Sequence, residues 1–434
     1  MSPRALLPIA AGALLVAVCL APARPAAASS EDLFGYGPSS QAMGMTGAAL
    51  GSGFETVYGN PALLSLSRDR KLSLGFTGAW YDLHADGPQA PGNMHLQSVH
   101  GMVIGATLPL GFGGVLRDRL TLGVGFFTPT DVVVRGRVLY PEKPQFGVLG
   151  DRAQSVAIQM GLGANLGHGL RLGGGFAALA AIAGKVLVAT NESGQVGTKV
   201  DDQLVATYGA ILGASYDLGD DYRLGLTYRG VLDARFAVTI VVKDLGSLEV
   251  PPFNIAGLAQ YDPRQLQAEV ARVSGPWRGA VGLTWRNWSR YPGPPEPTVL
   301  CPPEEPDCGA LRPPPFNFKD TFSPRLGVEH LIAAARGIEL HLRGGYAYEP
   351  SPAPEQTRES NFYDNARHVV TLGYGLHLSE PYAPITLDLF AQYHALAPRT
   401  HVKDPDVPAD NPGFPETKTH GSIVVGGLVL GVTL

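Results

Sequence analysis

The chain has 434 residues, a formal net charge of −5, 45% hydrophobic residues and 55 glycines. A mildly acidic balance gives no footing for nucleic-acid binding. After the N-terminus no apolar run reaches the roughly 18 residues that a helical membrane span requires, and the content of Val, Leu, Phe and Tyr is too high for a disordered chain.

Residues 1–28 read as a secretory signal. Arg4 supplies the positive region, Leu6 to Leu20 the apolar core and Ala26-Ala27-Ala28 the cleavage site. Cys19 lies inside this signal, and Val18 before it fits a lipoprotein cleavage site poorly. The exported chain then keeps Cys301 and Cys308.

Residues 29–70 do not alternate. They run Phe34-Gly35-Tyr36-Gly37, then Gly44-Met45-Thr46-Gly47-Ala48-Ala49, then Thr56-Val57-Tyr58-Gly59-Asn60-Pro61-Ala62-Leu63. Glycines and small residues allow close backbone packing, and Asn-Pro marks a turn. The expectation is a compact plug inside the lumen of a barrel formed by 71–434.

From Lys71 onward, apolar and polar residues alternate through fourteen segments: 71–83, 97–109, 119–128, 153–166, 170–189, 203–217, 221–242, 264–273, 277–290, 321–333, 337–349, 367–378, 384–396 and 420–433. Short linkers such as Gly167-His168-Gly169 and Gly219-Asp220 take turns with long Pro- and charge-rich ones. That asymmetry is the mark of an outer-membrane barrel with tight turns on one side and large loops on the other. A soluble β-sandwich alternates similarly but has no reason for it.

Lipid takes the apolar face, because a charge at the bilayer midplane costs roughly 2–4 kcal/mol. In 153–166, Ile158, Met160 and Leu162 therefore point outward, and Gln159, Gly161 and Gly163 inward. By the same parity Arg229, Arg325, Glu329 and Arg343 enter the lumen, where a cation could meet a substrate carboxylate or simply pair with its neighbours.

Other segments carry more specific expectations. The connection 243–263 is apolar for an exposed loop, and Leu248, Val250, Phe253, Ile255 and Leu258 could form a capture surface. In 119–128, Gly123 and Gly125, followed by Pro129, could weaken or bend one strand. Cys301 and Cys308, in a Pro-rich loop of an exported protein, read as a disulfide.

Nothing points to catalysis, a metal site or a cofactor. There is no Gly-x-Ser-x-Gly elbow and no His-Glu-x-x-His or Cys-x-x-Cys pair, and the eleven histidines are scattered.

The Gly-rich stretch leading to Asn60-Pro61-Ala62 just before the first strand resembles the hatch of FadL-type outer-membrane transporters. Leu283-Thr284-Trp285-Arg286-Asn287-Trp288 is similar to that family's ninth strand. Phe322-Ser323-Pro324-Arg325 and Leu342-Arg343-Gly344-Gly345-Tyr346 resemble its tenth and eleventh. The resemblance spans the whole mature chain and implies a fourteen-stranded barrel with a hatch motif at Gly44, Gly47, Asn60, Pro61 and Ala62 and a kinked third strand for sideways exit. It implies passive uptake of long-chain fatty acids or aromatic hydrocarbons by a monomer set in outer-membrane lipid. FadL-like barrels also serve as protein partners in secretion or surface attachment and share the hatch opening, while a general polar porin is disfavoured by a plugged lumen. Two departures stand out: the terminal residue is Leu434 rather than an aromatic, and the cysteine loop is not a family feature.

Overall fold

The computed structural model describes residues 30–130, 140–150, 155–190, 196–243, 253–293, 298–299 and 316–434. The first strands of the single sheet are β1 (Lys71–Asp86), β2 (Gly92–Met94), β3 (Val99–Leu110), β4 (Leu120–Pro129), β5 (Ala157–Gly167) and β6 (Leu170–Thr190). They are followed by β7 (Val196–Leu218), β8 (Tyr222–Arg229), β9 (Leu232–Lys243), β10 (Phe253–Asp262), β11 (Gln265–Ser274) and β12 (Trp277–Arg286). The last are β13 (Thr298–Val299), β14 (Thr321–Ala335), β15 (Ile338–Glu349), β16 (Arg367–Leu378), β17 (Ile385–Val402) and β18 (Glu416–Thr433).

Fourteen of these strands form the wall. β1, β3 to β8, β11, β12 and β14 to β18 pair antiparallel in that order. β18 then returns to β1, from Lys71↔Thr433 to Asp86↔Lys418, so the ring has no free edge. A closed ring is what lipid demands, because an open edge would leave backbone groups without partners.

The faces follow the pleat. Leu74, Ile104, Met160, Leu226, Leu283, Leu342 and Leu389 are exposed on the outer surface, while their strand neighbours point inward. Exposed Trp80, Tyr346 and Tyr393 lie toward the long-loop end, and Tyr216, Tyr222 and Trp277 toward the short-turn end. These two levels match aromatic girdles at the edges of an apolar band.

The predicted single strand 221–242 is in fact two. β8 stops at Arg229, Gly230 donates its N–H to the Ala210 carbonyl at 2.8 Å, and the chain turns inward. β9 pairs antiparallel with β10 and parallel with the extension of β6, at Ala183↔Ala237. The described part of the supposed exposed loop 243–263 is therefore not a loop: Phe253–Asp262 is the second arm of a hairpin. Pro263 lacks the N–H needed to continue a ladder, and β11 then takes the wall position beside β8, at Gln265↔Arg229. Leu232 packs over Gly209 on the inner face of β7, which places the hairpin across the lumen side of the long-loop end. β12 also ends earlier than predicted, with Trp288–Arg290 forming a 3-10 turn.

Residues 30–66 lie inside the ring as short helical pieces, among them Ser30–Phe34, Pro38–Ala42, Thr56–Gly59 and the 3-10 segment Pro61–Leu66. Inward-facing wall glycines are their seats. A Cβ on Gly345 would fall on the backbone of Gly44 and Met43, one on Gly225 on Ala48, one on Gly173 on Pro61 and Ala62, and one on Gly105 on Phe54. At Gly345, Gly225 and Gly173 glycine lets the backbones of wall and inner segment nearly touch.

Candidate functional site

Asn60 is both cap and clamp. Its Oδ1 accepts the Ala62 N–H at 3.0 Å, starting the turn that Pro61 opens. Its Nδ2 donates to the carbonyls of Ala48 at 2.6 Å and of Ala214, on wall strand β7, at 2.9 Å. Gly44 has φ +64°, a conformation open to glycine, and donates its N–H to Thr371 Oγ1 at 2.8 Å. Gly47 and Ala49 donate theirs to the buried carboxylate of Glu269, each at 2.9 Å. All five residues expected to form the hatch motif thus lie at the contact between inner segment and wall.

Lumenal charge is divided between two levels. At the upper one, Arg325 donates to the Met45 carbonyl at 2.7 Å and to Glu349 at 2.9 Å. Arg286 bridges Glu349 at 2.5 Å and Asp32 of the first helix at 3.1 Å. Arg229 donates to the Tyr58 carbonyl at 3.0 Å and lies 4.6 Å above that ring. At the lower level Glu329 and Arg343 pair at 2.7 Å, and Arg343 reaches Asp388 at 2.6 Å. Of the four lumenal candidates, Arg229 and Arg325 hold the inner segment, Arg343 lines the space beneath it, and Glu329 pairs with Arg343.

That space is a cavity of about 620 Å³ at the short-turn end, bordered by Ser52, Glu55, Lys71, Arg278, Arg343 and Asp388. Glu55 closes it from above. Its carboxylate accepts the N–H of Ser39 at 3.1 Å and of Ser52 at 3.3 Å. Burial outweighs these bonds and the attraction of Arg343, pushing the carboxyl up to about 7.

Above the inner segment, the described residues of the long connections build an aromatic layer into the lumen. Tyr261 at the end of β10 packs on Trp288 at 5.7 Å and on Tyr291 at 5.1 Å. Tyr291 stacks on Phe318 at 4.6 Å, and Phe316 meets Phe362 at 5.0 Å. This aromatic layer belongs to the same buried cluster as Leu33, Phe34, Tyr36 and Tyr58 of the inner segment. The sequence reading missed it, and its signal was available: aromatic residues concentrated in the long connections.

The remaining candidates are placed as follows. Leu248 and Val250 lie outside the described residues, and Phe253, Ile255 and Leu258 lie on β10 of the inner hairpin. Gly123 and Gly125 face inward against Leu64 and Tyr36. β4 pairs with β5 from Leu120 to Phe127 without a register shift. Pro129 pairs only with Gly101 of β3, past the point where β4 and β5 stop pairing. Cys301 and Cys308 lie outside the described residues. Strand pairing also gathers what the sequence scatters: Glu339, His341 and His377 form one cluster, so the expectation of no metal-like grouping is corrected.

A family model described as outer membrane protein transport protein (OMPP1/FadL/TodX) matches residues 19–428. The chain belongs to this family. No curated protein matches it in sequence. It is similar in structure to a Pseudomonas aeruginosa FadL homologue, with a TM-score of 0.60 and 13% identity over 92% of this chain and 97% of that one. It is also similar to the P. putida toluene transporter TodX, with a TM-score of 0.55 and 15% identity over 93% of this chain and 99% of that one. At such identities the likeness establishes the fold. Family and fold together make this FadL/TodX-type barrel an outer-membrane transporter of hydrophobic compounds rather than an enzyme. The long-loop end is accordingly extracellular and the short-turn end periplasmic.

Proposed function

We propose that this barrel takes up a long-chain fatty acid or an aromatic hydrocarbon passively, by movement of the N-terminal hatch and sideways release through the wall. The observation that carries the reading is the aromatic layer of Tyr261, Trp288, Tyr291 and Phe318, which packs above the hatch at the extracellular mouth. Transfer from water into such a layer favours an apolar solute by roughly 25 cal/mol per Å² of surface removed from water. Onward movement calls for the hatch to shift, since the gap beside Asp32 and Arg286 holds only about 20 Å³.

The exit follows from chemistry. The periplasmic cavity sets charged Lys71, Arg278, Arg343 and Asp388 beside apolar Leu50, Phe54, Val273 and Val429, so a hydrocarbon held there would desolvate charged groups. Lipid lies on the other side of the wall, and among the described residues the β4–β5 pairing ends at Phe127↔Ala157, one place where neighbouring wall strands part. A carboxylate-bearing substrate would reach Arg286 or Arg367, both beside the gap above the hatch.

The test is binding of a fluorescent long-chain fatty acid to the purified barrel in mild detergent, with toluene and other hydrocarbons as competitors. Saturable and competable binding is expected, and the order of competition names the substrate class. No binding by protein with heat-modifiable gel mobility would refute the reading and leave protein-partner recognition as the role of the barrel.

A further inference from the structure

Two histidines on neighbouring wall strands lie below the hatch with ring centroids 3.9 Å apart and planes tilted by 34°. His341 belongs to β15 and His377 to β16, and the register sets Glu339 directly opposite His377. A carboxylate holds each imidazole through one nitrogen. His341 Nδ1 is 2.9 Å from Glu329 Oε1, and His377 Nε2 is 3.2 Å from Asp388 Oδ1. Arg343 fixes both carboxylates, at 2.7 Å and 2.6 Å. With the proton on the held nitrogen, the opposite nitrogen of each ring presents a lone pair.

His341 Nε2 is buried and lies 2.8 Å from Glu339 Oε1, yet in a direction that makes no hydrogen bond. A ring nitrogen and a carboxylate oxygen that approach in this way are suited to sharing a cation. One donor atom from each of Glu339, His341 and His377 lies within 4.8 Å of the other two. Donors placed about 2.0–2.2 Å from a zinc ion stand somewhat closer to one another than this limit, a gap that side-chain rotation can close.

We propose that Glu339, His341 and His377 form a binding site for a borderline divalent cation such as Zn²⁺ at the periplasmic rim of the lumen. Two imidazoles and one carboxylate are a donor set that zinc uses with a fourth position left for water. The Glu329–His341 and Asp388–His377 contacts are the outer support such sites require, fixing ring orientation and tautomer. Imidazole donors select against Mg²⁺ and Ca²⁺, which take oxygen. Glu329, Glu339 and Asp388 are matched by Arg343, Lys71 and Arg278, the last 3.2 Å from Glu329, so an arriving cation meets a near-neutral surround rather than an excess of positive charge. Glu339 and His377 are part-exposed, and His377 borders the periplasmic cavity, so an ion has a way in.

The test is calorimetric titration of the untagged, folded barrel with Zn²⁺. His84 and His420, stacked at 5.0 Å beside Asp82 and Asp86, are a competing surface pair. The parent for the titration therefore carries His84→Ala and His420→Ala. One equivalent of Zn²⁺ is expected to bind in the micromolar range or tighter, and Co²⁺ in its place should give the visible absorption of a nitrogen- and oxygen-bound site. His377→Ala should weaken binding by at least roughly tenfold. Glu339→Gln, at a half-exposed position that folding tolerates, should weaken it as well and decides the matter alone if His377→Ala does not fold. No binding by the parent, or unchanged affinity in the folded variants, would overturn the proposal.

Discussion

Arg286 Nε on β12 donates to Asp32 Oδ1 in the first helix of the hatch at 3.1 Å, with both side chains almost fully buried. The same guanidinium reaches Glu349 on β15, so one residue ties the hatch to two parts of the wall. A buried pair of this kind is sensitive to loss of one partner, because the other is left charged and unsolvated.

Arg286→Ala should therefore loosen the hatch more than it harms the barrel. The expected cost is about 3–5 kcal/mol at the hatch–wall contact. Single-channel conductance in planar bilayers should show a raised leak of small ions, with heat-modifiable mobility retained. A closed channel in the variant would show that the pair does not hold the hatch.

Gly345→Val tests the glycine seats by shape alone. The added carbons would meet the backbone of Gly44 and Met43, which cannot rotate away. Overpacking of this sort costs roughly 1–3 kcal/mol. Limited proteolysis should cut the N-terminal segment of the variant faster than that of the parent, whereas Gly279→Val, with only ordinary contacts nearby, should leave the rate unchanged.

Glu55 makes hatch packing depend on pH. Its carboxyl is raised by burial to about 7 from an ordinary value of 4.5. A raised folded-state value means stability that is complete below pH 4.5 and lost as pH rises through 7. Leak conductance should accordingly increase between pH 6 and pH 8, spanning that value. Glu55→Gln should flatten the profile, and an identical profile in that variant would assign the effect elsewhere.

Trp288 is the aromatic residue whose removal should most directly report on solute capture, since it touches Tyr261, Tyr291 and Phe318. Trp288→Ala should weaken binding of a fluorescent fatty acid by roughly tenfold, equivalent to about 1.4 kcal/mol. Equal affinity in parent and variant would remove the aromatic layer from the uptake route.

The strand pattern alone was enough to define the barrel. A pleat has a period of two, lipid tolerates only apolar side chains on one face, and connections must alternate between two membrane sides; all three constraints are local and leave marks in the order of residues. The same parity placed Gln159, Arg325 and Arg343 in the lumen. Asn60-Pro61 was legible as a turn because an Asn cap before Pro acts on its own next residues.

Tertiary structure decided everything that depended on which strands meet. No local signal showed that Gly230 and Pro263 would take β9 and β10 out of the wall, because that depends on β11 finding β8 at Gln265↔Arg229. Sequence parity could not divide the arginines into those that hold the hatch and those that line the cavity. That division is set by height along the barrel, which the register of neighbouring strands fixes. Glu339 and His377 are far apart in the chain and directly opposite in the sheet, and only hydrogen-bonded pairing brings their side chains to one point.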